Sequence, residues 1–134
     1  MRILIVNRYF YPDTPPYATI LLEISQHLQN IGHQIEIQTS QPSYKAEFTT
    51  GNQPSVEVIS GVNVHRTPLL PEFNNFALKT VNHFWFPVVA MFKILFGPKR
   101  DLIWTASMPP IWQPFLLAIA AKLRRSKLVY HLQE

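Results

Sequence analysis

Within Arg2-Ile3-Leu4-Ile5-Val6-Asn7, Ile3 to Val6 is a short apolar run that has no polar alternation, and thirty residues on, His33-Gln34-Ile35-Glu36-Ile37-Gln38-Thr39 offers a second strand. An apolar run of that kind marks a strand buried on both faces, as in a parallel sheet covered by helices. Between the two, Tyr17, Leu21, Ile24, Leu28 and Ile31 recur every three or four residues and share one face of a helix. Thr14 is placed to cap that helix, Pro15 to enter it at its first position and Gly32 to stop it. Strand, helix and strand together predict a βαβ unit with a right-handed crossover.

The alternation continues along the chain. Val56, Val58, Val62 and Val64 flank Ser60-Gly61 and predict two short strands or a hairpin. Ser40 to Ser55 is polar and rich in turn formers, as a connection would be. Phe73 to Phe96 predicts a helix that Pro87 should kink or divide. Asp101 to Thr105 is a further strand, Pro109-Pro110 opens an apolar helix running to Leu123, and Lys127 to His131 forms a last strand. The pattern predicts an α/β fold, a doubly wound and mainly parallel Rossmann-like sheet. Ligands of such sheets bind at the carboxyl ends of the strands, where strand order reverses. The segments Asn7 to Thr14, Thr105 to Pro110 and the stretch after His131 are therefore the places for a site.

The 134 residues are one domain's worth of chain, and 47% hydrophobic with 15% charged residues argues for a folded core. The net charge of +4 is uneven: from Pro68 onward eight Lys or Arg face three acids, so the second half carries the whole positive excess. Nucleic acid, an anionic membrane or a phosphorylated substrate would each be served by such a field, as would ordinary solvated helix faces. No cysteine is present, which excludes disulfides, a thiolate metal site and a cysteine nucleophile. The apolar start is too short for the core of an export signal. No metal or cofactor is expected.

Several chemistries of this fold class are excluded by the loop after the first strand. The glycines are Gly32, Gly51, Gly61 and Gly97, none of them between the first strand and the first helix. A dinucleotide or P-loop phosphate site needs glycine there, because only glycine lets backbone N–H groups approach a pyrophosphate. A receiver domain needs clustered aspartates, and this strand ends in Asn7. What the loop does hold is Asn7, Tyr9, Phe10, Tyr11, Asp13 and Tyr17, stiffened by three prolines. Aromatic faces stack on the C–H side of a pyranose while Asn, Asp and Tyr orient its hydroxyls; equally, the aromatics of such a loop can serve only to cover a sheet edge.

Asn7 to Thr39, with Tyr11-Pro12-Asp13 and Gly32-His33, resembles the opening of family 4 glycosyltransferases, retaining enzymes of the GT-B architecture. Pro15-Pro16-Tyr17-Ala18 and Gln41-Pro42-Ser43-Tyr44 resemble a bacterial subgroup. Gly61-Val62-Asn63-Val64, Thr105-Ala106-Ser107-Met108-Pro109-Pro110 and Tyr130-His131-Leu132-Gln133-Glu134 follow in the family's order. Where many members have a Gly-Gly pair after the first strand, this chain has Pro15-Pro16.

The resemblance implies an acceptor-side amino-terminal domain over residues 1–134, incomplete without a second, donor-binding domain through which a nucleotide sugar would enter. It implies acceptor contacts from Asn7, Tyr9, Tyr11, Asp13, Tyr17, Thr105 and Ser107, and catalytic-cleft roles for His131 and Glu134. The implied acceptor is a surface glycan or a lipid-linked sugar, with no nucleic-acid partner. The alternative is a noncatalytic membrane-docking subunit of a glycosyltransferase split between two chains.

Phe84 to Phe96 is strongly apolar but shorter than the roughly 20 residues that span a bilayer. Trp85, Phe86 and Phe92 with Lys93, Lys99 and Arg100 fit an element lying in a membrane interface; a helix buried against a partner or the sheet has the same composition. The expected location is cytoplasmic, peripheral on the inner face of the plasma membrane.

Overall fold

A computed structural model describes residues 1–11, 16–41, 53–70, 75–107 and 111–132. The predicted cap Thr14, the first-turn Pro15, most of the polar connection after Ser40, and Pro109-Pro110 lie outside these residues. Among the described residues the order is β1 (Arg2–Val6), α1 (Pro16–Asn30), β2 (Gln34–Ser40), β3 (Val56–Ile59), β4 (Val62–Thr67), α2 (Phe76–Phe96), β5 (Leu102–Ala106), α3 (Gln113–Arg124) and β6 (Lys127–His131).

The strands form one mixed sheet in the order β3-β4-β2-β1-β5-β6, parallel except where β3 meets β4. That antiparallel pair is the hairpin foreseen at Ser60-Gly61. Both turn residues have positive φ, 50° and 84°, the handedness a two-residue hairpin turn requires. Gly32, at φ 103°, stops α1, and the next amide, His33 N–H, closes back on the Leu28 carbonyl at 3.1 Å.

Alternate residues of β1 build two cores. Ile3 and Ile5 pack with Tyr17 and Leu21 of α1, while Leu4 and Val6 pack with Phe86, Ala90 and Ile94 of α2 and Leu117 of α3. α1 therefore covers one face and the α2–α3 pair the other, as right-handed crossovers leaving in opposite directions produce. The predicted helical stripe holds for Tyr17, Leu21 and Leu28, whereas Ile24 is only half-buried and Ile31 is exposed beyond the helix end.

Pro87 does not divide α2, which runs unbroken for 21 residues from its cap at Asn75. Proline lacks the N–H that would reach the carbonyl four residues back, that of His83. The indole N–H of Trp112 donates to this carbonyl instead, at 2.7 Å. Asn82, buried on the same helix, holds the incoming chain by accepting from Leu70 N–H at 3.0 Å and donating to the Leu70 carbonyl at 2.9 Å.

Candidate functional site

Strand order reverses between β1 and β5: the chain leaves β1 toward α1 on one face and β5 toward α3 on the other. Val6 and Thr105 are register neighbours at this point, so Asn7 and Ser107 stand just beyond the sheet's carboxyl edge. A crevice here is the place where doubly wound sheets bind ligands.

Asn7 is buried, and its side-chain amide donates to the Tyr9 carbonyl at 2.6 Å. Its backbone N–H donates to Gln38 at 3.1 Å. The next carbonyl, that of Arg8, accepts from Thr39 Oγ1 at 2.9 Å and Ser40 Oγ at 2.8 Å. These bonds clamp the first loop onto the end of β2, and the Asn7 amide helps to shape that loop. The Arg8 guanidinium is buried, lies 5.4 Å from the Tyr9 ring centroid and approaches His83 through Nη1. His83 Nδ1 sits 2.6 Å from the Lys79 carbonyl and so carries the proton there, leaving Nε2 to accept from Arg8 at 3.2 Å.

Tyr17 and His131 meet across the crevice, with Tyr17 Oη and His131 Nδ1 2.9 Å apart. The His131 ring also stands edge-on to Trp104, centroids 5.7 Å apart, and its backbone carbonyl accepts from Ser107 N–H at 2.9 Å. Tyr17 and His131, 114 positions apart, thus meet at one point, and the Ser107 backbone is tied to His131 beside them. Hydroxyl and imidazole groups beside aromatic rings can orient a polar ligand's hydroxyls and cover its apolar face.

Thr105 is not part of that group. It is fully buried on the opposite face of β5, where its hydroxyl accepts from Gln113 Nε2 at 2.8 Å. The same amide reaches the Val6 carbonyl at 3.2 Å and bridges the two central strands. Tyr11 is half exposed, and its carbonyl accepts from Arg66 Nη2 at 2.6 Å. Arg66 is itself buried and ion-paired to Glu57 at 2.8 Å. Asp13 and Glu134 lie outside the described residues.

Arg8, His83, Arg66 and Gln113 were not foreseen from sequence. Arg8 carried a signal, a lone cation directly after a buried strand; the others become visible only through partners distant in the chain.

The surface set is also redistributed. Trp85 and Phe92 are half exposed and Lys99 is exposed. Phe86 is in the core, because its place on α2 turns it toward β1, and Arg100 is buried in an ion pair with Glu36 at 2.9 Å. Neither belongs to an exposed face. No described helix is long and apolar enough to cross a membrane.

No protein-family model and no curated protein matches the sequence. Solved structures do. The catalytic domain of starch synthase IV from Arabidopsis thaliana, bound to ADP and acarbose, superposes with a TM-score of 0.64 at 14% identity over 99% of this chain. Sucrose-phosphate synthase from Thermosynechococcus elongatus gives 0.53 at 13% identity over 98%. This chain spans 34% and 32% of the length of those two proteins. The C-terminal domain of a hydrogenase from Pyrococcus furiosus gives 0.62 at 16% identity, over 98% of this chain and 90% of that one. At these identities the likeness concerns the fold, and the chain is a Rossmann-like α/β domain of the kind found in the two synthases and the hydrogenase domain.

Proposed function

We propose that this chain is the acceptor-side domain of a glycosyltransferase of GT-B architecture, the nucleotide-sugar donor being held by a second domain. The reading rests on the meeting of Tyr17 and His131 close to the strand-order reversal, within a fold shared with a starch synthase catalytic domain bound to ADP and acarbose. The finer reading, a retaining enzyme of family 4, rests on the sequence resemblance. In it His131 faces the reacting sugars, and Tyr9 and Tyr17 bind the acceptor.

The membrane part of the reading is supported by the outer surface of the α2–α3 pair. Phe84, Phe115, Ile119 and Leu123 are exposed there. Neither helix contains an acid, whereas Lys79 and Lys122 are exposed on them. Apolar groups with a basic fringe suit an anionic bilayer interface, and a lipid-linked acceptor would be met there.

A second reading, a ligand-binding module with no sugar chemistry, is favoured by the match that covers most of the hydrogenase domain. Saturation-transfer NMR separates the two. With the chain and a panel of neutral oligosaccharides and nucleotide sugars, the transferase reading expects transfer to an oligosaccharide, weakened by His131→Ala, and none to nucleotide sugars. Absence of any saccharide signal favours the second reading.

A further inference from the structure

On the α2 face, away from Tyr17 and His131, a groove of about 710 Å³ opens between α2 and the β2–β4 part of the sheet. Leu4, Gln38 and His65 contribute from the sheet, and Trp85, Val89 and Phe92 from the helix. Its size and mixture of broad apolar wall and few polar groups are those of a small-molecule site.

The charges of the groove do not cancel. The Arg100 guanidinium is matched by Glu36 and also donates to the Lys93 carbonyl at 3.3 Å. Lys93 Nζ donates to a neutral partner, Gln38 Oε1, at 3.1 Å, and no carboxylate among the described residues pairs with it. An ammonium has three N–H donors, so two remain for an incoming acceptor. Lys93 keeps much of its surface exposed, yet partial burial and then the Arg100 charge lower its pKa, as expected where a cation lacks an anion. The pKa of His65 is likewise lowered, chiefly by burial, so at neutral pH it adds no charge. What would complete the groove is one negative charge at Lys93, attached to an apolar body lying along α2.

We propose that this groove binds a single-chain amphiphile with a phosphate or carboxylate head, the head on Lys93 Nζ and the tail along Trp85, Val89 and Phe92. The site does not depend on transferase activity, because it lies on the other face of the sheet from the Tyr17–His131 crevice. It is also separate from bilayer docking through α3.

The test is a calorimetric titration of the 134-residue chain with dodecyl phosphate below its micelle concentration, Trp85 emission being followed in parallel and assigned with Trp85→Phe. Dodecyl phosphate is expected to bind at least about tenfold more tightly than dodecyltrimethylammonium. Lys93→Met should remove roughly that advantage, Lys93→Arg should restore most of it, and Phe115→Ser with Lys122→Glu should leave it unchanged. Val89→Phe, which fills the groove without touching charge, should weaken binding of every dodecyl compound. Equal affinity for the anionic and cationic amphiphiles, or wild-type affinity in Lys93→Met or in Val89→Phe, overturns the proposal.

Discussion

Trp112 Nε1 donates to the His83 carbonyl at 2.7 Å, and this is the carbonyl that Pro87 cannot reach. The indole ring also stacks on Phe84, centroids 4.2 Å apart and planes within 10°. One residue at the start of α3 therefore satisfies the backbone defect of α2 and fastens the two helices. Trp112→Phe keeps an aromatic ring but removes the donor, and should cost about 1–2 kcal/mol in urea unfolding. In a Pro87→Ala background the helix supplies its own N–H, so the same change should cost clearly less. Equal costs in both backgrounds would show that the two groups act independently.

Asn82 fastens the β4–α2 connection through both polar atoms of its side chain. Asn82→Leu has similar size but strands the amide and carbonyl of Leu70. A loss of about 1–3 kcal/mol in denaturant unfolding is expected. Asn82→Asp keeps an acceptor for the Leu70 N–H but sets a carboxylate against the Leu70 carbonyl, and it should be destabilised most at pH values where it is ionised.

His65 makes stability depend on pH. Its folded pKa lies below 6.5, mainly because burial disfavours the charged ring; Lys93 and Arg100 act in the same direction and Glu36 opposes them. Below pH 6.5 the unfolded chain then binds more protons than the folded one, so stability falls as pH drops through that range. His65→Gln should flatten the fall below about pH 6.5 in a series of urea melts. An unchanged slope would remove His65 from the account.

Membrane contact is expected to run through α3 as well as α2. Phe115→Ser with Lys122→Glu should sharply reduce co-sedimentation with vesicles containing phosphatidylglycerol, while leaving the melting temperature close to wild type. Lys99→Glu should have a smaller effect. Undiminished sedimentation of the double variant would contradict docking by this face.

How much was legible follows the range of the forces involved. Buried strands announce themselves as apolar runs, so β1, β5 and β6 were readable to within a residue, and Lys127–His131 matches at both ends. The hairpin was written in Ser60-Gly61, a local signal. Pro87 does not divide α2 because its remedy, Trp112, acts across 29 positions, and sequence periodicity carries no record of that. Arg100 was read as a surface cation for the same reason: its partner Glu36 is 64 positions away. In the crevice, Tyr17 was named from the loop's chemistry as well as the family resemblance and His131 from the resemblance, but their meeting follows from the sheet order, which places β5 between β1 and β6. Thr105 failed by parity. Neighbouring strand residues point to opposite faces, so Thr105 and Ala106 cannot both face α1.

The central claim is that a saccharide binds where Tyr17 meets His131. An amide and side-chain chemical-shift map of the 134-residue chain, titrated with the best-bound neutral oligosaccharide, tests it most directly. The account predicts the largest shifts at Tyr17, Ser107 and His131, lost together in Tyr17→Phe with His131→Ala. Shifts confined to other surfaces, or a map unchanged by saccharide, would contradict it.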